Sequence, residues 1–120
     1  MPTAKKLKLI EKFVKYCASR LDLTGNINIV LSRVGQKMPT AGHFDPSTRT
    51  INVTIINRAL ADCLRTISHE LTHLSQLDRG IIFPTRDELL QPYEDEANIM
   101  SGRLVRFFGR ENPEIYRDIA

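Results

Sequence analysis

A run of five residues, His69-Glu70-Leu71-Thr72-His73, constrains this chain more than any other feature. On a helix, residues four positions apart project about 40° apart around the axis, so both histidines face the same side. Two imidazoles at that spacing suit a zinc ion, and Glu70 beside them can take a proton from a water molecule at the metal. The run therefore predicts a helix that carries two metal ligands and a general base.

The sequence around this run has helical periodicity from about residue 58 to residue 78. Leucine and isoleucine recur on one side of the helical wheel, while arginine, serine, threonine and glutamine share a polar arc. His69 and His73 fall at the boundary of that arc, as expected for residues that line a cleft. Asn57 is the predicted N-cap, and Gly80 is the predicted end of the helix.

The first half of the chain predicts one helix and a small sheet. Residues 5–21 place apolar side chains at alternating three- and four-residue steps, which is typical of an amphipathic helix. Residues 27–33 suggest a strand, and residues 35–40 have the composition of a loop. Residues 42–56 predict a β-hairpin, because a proline-containing turn at 45–48 precedes strict alternation of isoleucine or valine with polar residues.

The second half predicts another long helix. Residues 81–91 are expected to form a loop with one helical turn, and the helix is expected to begin near Pro92 and to end at Gly109. A short terminal helix is expected to follow Asn112. Together these elements predict an α+β fold, in which a small and mostly antiparallel sheet packs against the helices.

The length of 120 residues predicts a single domain, residues 1–120, with one modest core. No apolar run approaches the ~20 residues of a membrane span, and the first residues lack the apolar segment of a signal peptide. Cys17 and Cys63 lie far apart without CxxC spacing, which indicates core residues in a reducing compartment rather than a disulfide or zinc pair. We therefore expect a cytoplasmic protein with no membrane partner.

The amino-terminal segment is strongly basic, with six Lys or Arg residues against Glu11 among the first twenty positions. Such a surface can bind nucleic acid or an acidic partner. Aromatic residues do not alternate with these lysines in a way suited to base stacking. The pattern therefore favours the solvated face of a helix, and we do not expect a nucleic-acid partner.

A catalytic zinc needs a third protein ligand, and two known arrangements fail at fixed offsets after His73. A metzincin requires glycine and histidine at positions where this chain has Gln76 and Arg79. SprT-like proteins require a histidine where this chain has Asp78. The remaining arrangement takes a glutamate from a following helix.

The segment that supplies such a glutamate begins Glu94-Asp95-Glu96-Ala97-Asn98. It closely resembles the ExxAN segment of ImmA/IrrE-type peptidases and of the short minigluzincins, as does the upstream strand at 49–55 with the run that follows it. The resemblance covers roughly residues 42–108. It implies a gluzincin-type zinc metallopeptidase with a minimal zincin fold, in which the sheet packs against an active-site helix and a glutamate helix.

The resemblance also implies a role for each residue of the motif. It makes His69, His73 and Glu94 the zinc ligands and Glu70 the general base. Asn98, one helical turn after Glu94, takes the position that supports a histidine ligand through a hydrogen bond. Glu96 is the competing third ligand, and because it lies about 200° around the helix from Glu94, only one of the two can face the metal.

The expected activity is hydrolysis of a peptide or protein substrate by zinc-activated water, with Glu70 accepting the proton. We expect the substrate to pair as an added strand, with residues 49–55 the candidate edge. The alternative is a zinc-binding regulatory module, non-catalytic or latent, that acts on a protein or nucleic-acid partner. In a latent form, the cleft would be filled by another copy of the chain or by its own terminus, for which residues 110–120 are the obvious segment. The oligomeric state is left open.

Overall fold

The computed structural model describes residues 3–32 and 42–120. Its elements in chain order are α1 (Ala4–Arg20), β1 (Asn28–Ser32), β2 (Gly42–Asp45), β3 (Thr50–Thr54), α2 (Leu60–Asp78) and α3 (Asp87–Glu111), with a 3-10 helix at Pro113–Tyr116. These elements confirm the predicted α+β class and the predicted short terminal helix. The predicted loop at 35–40 lies outside the described residues.

The three strands form a mixed sheet in the order β1-β3-β2. β2 and β3 are the predicted antiparallel hairpin, whereas β1 pairs parallel to β3 over its whole length. The predicted mostly antiparallel sheet is therefore wrong. The prediction of residues 49–55 as an edge is also wrong, because β3 has a hydrogen-bonded neighbour on each side. Alternation within a strand reveals its buried face but not the direction of its neighbours, which depends on the connection.

Helix α2 lies at the centre of the molecule and contacts α1, α3, β2, β3 and the 3-10 helix. Its apolar side meets the alternating side chains of β3, of which Ile51 and Val53 are fully buried. From α1, Phe13 reaches the ring of Phe108 on α3 in an edge-to-face contact with centroids 5.0 Å apart. Because α2 is held on several sides, its one open face is positioned rigidly.

Helix α2 ends at Asp78 before Gly80, as predicted, but its start and the start of α3 differ from the predicted ones. Ala59 rather than Asn57 precedes the first residue of α2, since Asn57 has a left-handed backbone (φ 53°) in the preceding turn. Helix α3 begins five residues before Pro92, which lies inside the helix and is exposed. A proline there removes one backbone hydrogen bond near the start of a 25-residue helix, and the remaining turns continue.

Gly109 does not end α3, which continues to Glu111. A Cβ atom at Gly109 would lie 2.4 Å from the hydroxyl oxygen of Tyr116. The glycine therefore makes room for the tyrosine ring of the 3-10 helix rather than terminating α3.

The last residues return to the start of α2, far from its centre. The Leu60 amide donates to the Asp118 carbonyl at 2.8 Å, and the Ala120 amide donates to the Arg58 carbonyl at 3.0 Å. Cys17 and Cys63 are free and fully buried, which confirms their assignment to the core. None of the helices described combines the length and apolar character that crossing a membrane requires.

Candidate metal centre

The predicted histidines and Glu94 converge from two helices. The Nε2 atoms of His69 and His73 lie 3.2 Å apart on the open face of α2. From α3, Glu94 brings Oε1 to 2.9 Å from Nε2 of His73 and Oε2 to 3.2 Å from Nε2 of His69. The three side chains thus direct their donor atoms to one point, as the sequence predicted.

This donor set fits a zinc ion. Zinc bonds of about 2.0–2.1 Å to nitrogen and oxygen in a tetrahedron place neighbouring donor atoms about 3.3 Å apart. The two Nε2 atoms lie 3.2 Å apart and each lies 2.9–3.2 Å from a different oxygen of Glu94, so these separations are close to that spacing. Two imidazoles and one carboxylate are also the donor set of catalytic zinc sites that keep a fourth position open.

Glu96 faces away from this point. Its Oε1 accepts hydrogen bonds from Nε2 of Gln76 at 2.8 Å and from the guanidinium of Arg79 at 2.5 Å. These two bonds, with that from Arg79 the stronger, lower the pKa of the Glu96 carboxyl. The carboxylate is therefore engaged with Gln76 and Arg79, and the geometry favours Glu94 as the third ligand.

Glu70 lines the same cavity as the three ligand side chains. Burial raises the pKa of its carboxyl, and the neighbouring His69 and His73 partly offset that effect. A carboxyl whose pKa is shifted toward neutrality accepts and returns protons more readily near neutral pH than an exposed glutamate does. The position suits the predicted general base.

The cavity is an open cleft of about 940 Å³ between β2, α2 and α3. Apolar side chains from three different segments, Phe44, Phe83 and Leu90, form part of its wall. Among the described residues, those that line it fall between positions 42 and 101, and none belongs to residues 110–120. The bordering strand β2 pairs only with β3 among the strands described.

Strand β2 lies unusually close to α2. A Cβ atom at Gly42 would lie 2.4 Å from the methyl carbon of Thr66 and 3.7 Å from Cγ of Glu70. Only a glycine permits this approach. The edge strand is consequently packed directly beside Thr66 and Glu70.

Sequence reasoning missed Gln76, whose Oε1 lies 2.8 Å from Nδ1 of His73. Asn98 lines the cleft and is exposed, and no hydrogen bond joins its amide to His69 or His73 within residues 3–32 and 42–120. Support of a histidine by Asn98 stays a prediction. The available signal for Gln76 was its spacing, since a residue three positions after His73 shares its helix face.

Comparison with protein-family models, with curated proteins and with solved structures gives no match for this chain. The functional argument therefore rests on the geometry of the site.

Proposed function

We propose that this protein is a zinc-dependent peptidase of the gluzincin type, with a minimal zincin fold. His69, His73 and Glu94 hold the metal, and Glu70 is the general base. The observation that carries the proposal is the convergence of two imidazoles and a carboxylate from two helices, at 2.9–3.2 Å, beside the half-buried carboxyl of Glu70 in an open cleft. A site that only stabilises the fold has no use for that fourth side chain.

The chemistry divides between the metal and the chain. Zinc, when bound, supplies Lewis-acid chemistry that acidifies water and polarises a carbonyl oxygen. Glu70 accepts the proton of the attacking water on a carboxylate oxygen and then donates it to the nitrogen of the leaving amine. Burial raises the pKa of the Glu70 carboxyl, which makes it a stronger proton acceptor than an exposed glutamate.

The cleft supports an extended peptide as the substrate. β2 (Gly42–Asp45) borders the cleft and has a strand neighbour on one side only in the described part of the chain. An extended segment can add to such an edge through backbone hydrogen bonds, while its side chains meet Phe44, Phe83 and Leu90. We propose β2 as the docking strand, in place of residues 49–55.

The alternative of a non-catalytic or latent zinc module has less support. A latent form closed by the chain's own terminus would need residues 110–120 in the cleft, but Asp118 and Ala120 bond to the backbone at the start of α2. A non-catalytic form would leave the half-buried carboxyl of Glu70 without a role.

The test compares zinc-loaded wild type with Glu70→Gln on a library of unstructured peptides, with cleavage followed by mass spectrometry. Glu88→Gln is the matched control, since Glu88 is exposed and does not line the cleft. We expect Glu70→Gln to keep one equivalent of zinc and to lose cleavage by about 100-fold or more, while Glu88→Gln cleaves normally. Cleavage by Glu70→Gln at the wild-type rate contradicts the mechanism, and zinc binding without any cleavage by the wild type favours the non-catalytic module.

A further inference from the structure

We propose that Gln76 is the positioning residue of the metal centre, and that it aligns two of the three ligands at once. The inference rests on the proposed zinc site. Gln76 is fully buried, and its amide makes three hydrogen bonds: with His73, with the Tyr93 carbonyl and with Glu96. A buried amide that is hydrogen-bonded at both its oxygen and its nitrogen is held in one orientation.

The orientation of this amide follows from its partners. Its Nε2 atom lies 3.0 Å from the Tyr93 carbonyl oxygen and 2.8 Å from Oε1 of Glu96. Both of those atoms are acceptors, so the nitrogen of the amide, which carries two protons, must face them. The opposite orientation would set three oxygen atoms against one another. Oε1 of Gln76 is therefore directed at His73.

This orientation determines which ring nitrogen of His73 is free to bind a metal. Oε1 of Gln76 can only accept, so Nδ1 of His73, 2.8 Å away, carries a proton and donates it. The lone pair available to a metal is then on Nε2, the atom that faces His69 and Glu94. Gln76 thus holds both the tautomer and the ring orientation that metal binding needs.

The same side chain also anchors the other helix. Tyr93, whose carbonyl accepts from Gln76, directly precedes Glu94 on α3. One amide on α2 therefore orients a ligand of its own helix and holds α3 at the residue next to the third ligand. Arg79 completes the arrangement from the other side, because it donates to the oxygen of Glu96 that Gln76 also contacts.

The first test is the zinc affinity of Gln76→Leu, measured by competition with a chelator. Leucine is close to glutamine in size but cannot accept the proton of His73. We expect zinc to bind about 10- to 100-fold more weakly, the usual effect of losing such a supporting contact. Gln91→Leu is the matched control, because Gln91 is exposed on α3 and contacts Asp95 rather than the site; it should bind zinc like the wild type.

A second readout separates positioning from general stability. In the zinc-loaded wild type, the Nδ1 proton of His73 should exchange slowly with water in ¹⁵N-histidine NMR spectra, because it is bonded to a buried amide. In Gln76→Leu it should exchange rapidly. Urea unfolding of the metal-free proteins measures how much stability Gln76→Leu loses in the absence of zinc. The loss in the free energy of zinc binding should exceed this loss in the free energy of unfolding.

A double variant tests the direction of the hydrogen bonds. Q76E/E96Q exchanges the acid and the amide, so that the introduced carboxylate still accepts from Nδ1 of His73 and also from the introduced amide. We expect its zinc affinity to lie within about tenfold of the wild type, since the bond to His73 is kept while the Tyr93 carbonyl loses its donor and Arg79 loses the Glu96 oxygen as its acceptor. If Gln76→Leu does not fold, this double variant still tests the role of the side chain at position 76.

The outcomes of these measurements are distinct. Wild type that binds no zinc refutes the proposed metal site itself. Wild type that binds zinc, with Gln76→Leu binding it equally well and the Nδ1 proton equally protected, overturns the role of Gln76 alone. A double variant that folds but binds zinc more than 100-fold more weakly than the wild type, beyond the range of the usual supporting contact, overturns the assigned direction of the bonds.

Discussion

Glu94 and Glu96 lie two residues apart on α3, and their carboxylates contact different partners. Glu94 lies 2.9 Å from Nε2 of His73, whereas Glu96 accepts hydrogen bonds from Gln76 and Arg79. This divergence follows from helix geometry, which turns the two side chains about 200° apart. The carboxylate of Glu94 therefore lies at the candidate metal site, and that of Glu96 belongs to the hydrogen bonds of Gln76 and Arg79.

The contact of Gly42 with Thr66 predicts the effect of adding one methyl group at the edge of the cleft. Gly42→Ala would put a Cβ atom 2.4 Å from the Thr66 methyl carbon, so β2 or α2 has to move. We expect a loss of about 1–3 kcal/mol in the free energy of unfolding, measured with urea. Thr66→Ser removes that methyl group and keeps the hydroxyl, which accepts from Arg58 at 2.7 Å.

The double variant Gly42→Ala with Thr66→Ser should therefore recover most of the loss. If the added methyl group costs the same in both backgrounds, the close packing of β2 on α2 is not its cause. Peptide cleavage should fall in Gly42→Ala, because β2 is displaced. It should recover in the double variant together with the free energy of unfolding.

The two thiols should be unreactive in the folded protein. Cys17 and Cys63 are fully buried, and burial raises the pKa of both thiols, which removes the reactive thiolate. We expect no reaction with a disulfide reagent under native conditions at pH 8 and release of two equivalents after denaturation. Rapid stoichiometric labelling of the native protein would show that the core around α1 and α2 is open.

The turn between β2 and β3 predicts a pH dependence of stability. The hydroxyl and the amide of Ser47 donate to Asp45 and lower the pKa of its carboxyl. The folded state therefore binds this proton less tightly than the unfolded state does. Stability from this carboxylate is complete above pH ~4, the pKa in the unfolded chain, and is lost as the pH falls through the lower folded-state value.

Asp45→Ala should accordingly lower the melting temperature at pH 6, and the difference from the wild type should shrink as the pH approaches 3. Melting curves of both proteins across that range measure it. A difference that stays constant or widens in acid is inconsistent with stabilisation by the ionised carboxylate.

Much of the fold could be predicted because its signals are local. The spacing of His69 and His73 and the alternation at Ile51 and Val53 are properties of single elements, and the structure has those elements where the sequence predicted them. The parallel pairing of β1 is not local, since it depends on the path of the chain between strands. Pro92 was misleading because a long helix tolerates a proline near its start.

The candidate site likewise has residues that the sequence could predict and one that it could not. His69 and His73 could be proposed from spacing and residue type, because those requirements apply to any metal site of this kind. The choice of Glu94 rested on the resemblance of residues 94–98 to a known segment. Gln76 could not, since its role depends on the Tyr93 carbonyl and the Glu96 carboxylate of a helix that is distant in sequence. A polar residue on a helix face has no recognisable function until its partners on the neighbouring helix are known.

Zinc titration of wild type, Glu94→Gln and Glu96→Gln tests the central claim most directly. The two variants make the same chemical change two residues apart, so each is the matched control of the other. We predict one equivalent of zinc for the wild type and for Glu96→Gln, and at least about 100-fold weaker binding for Glu94→Gln, since a ligand matters at least as much as its support. Full zinc affinity in Glu94→Gln, with binding lost in Glu96→Gln, would contradict the proposed metal centre.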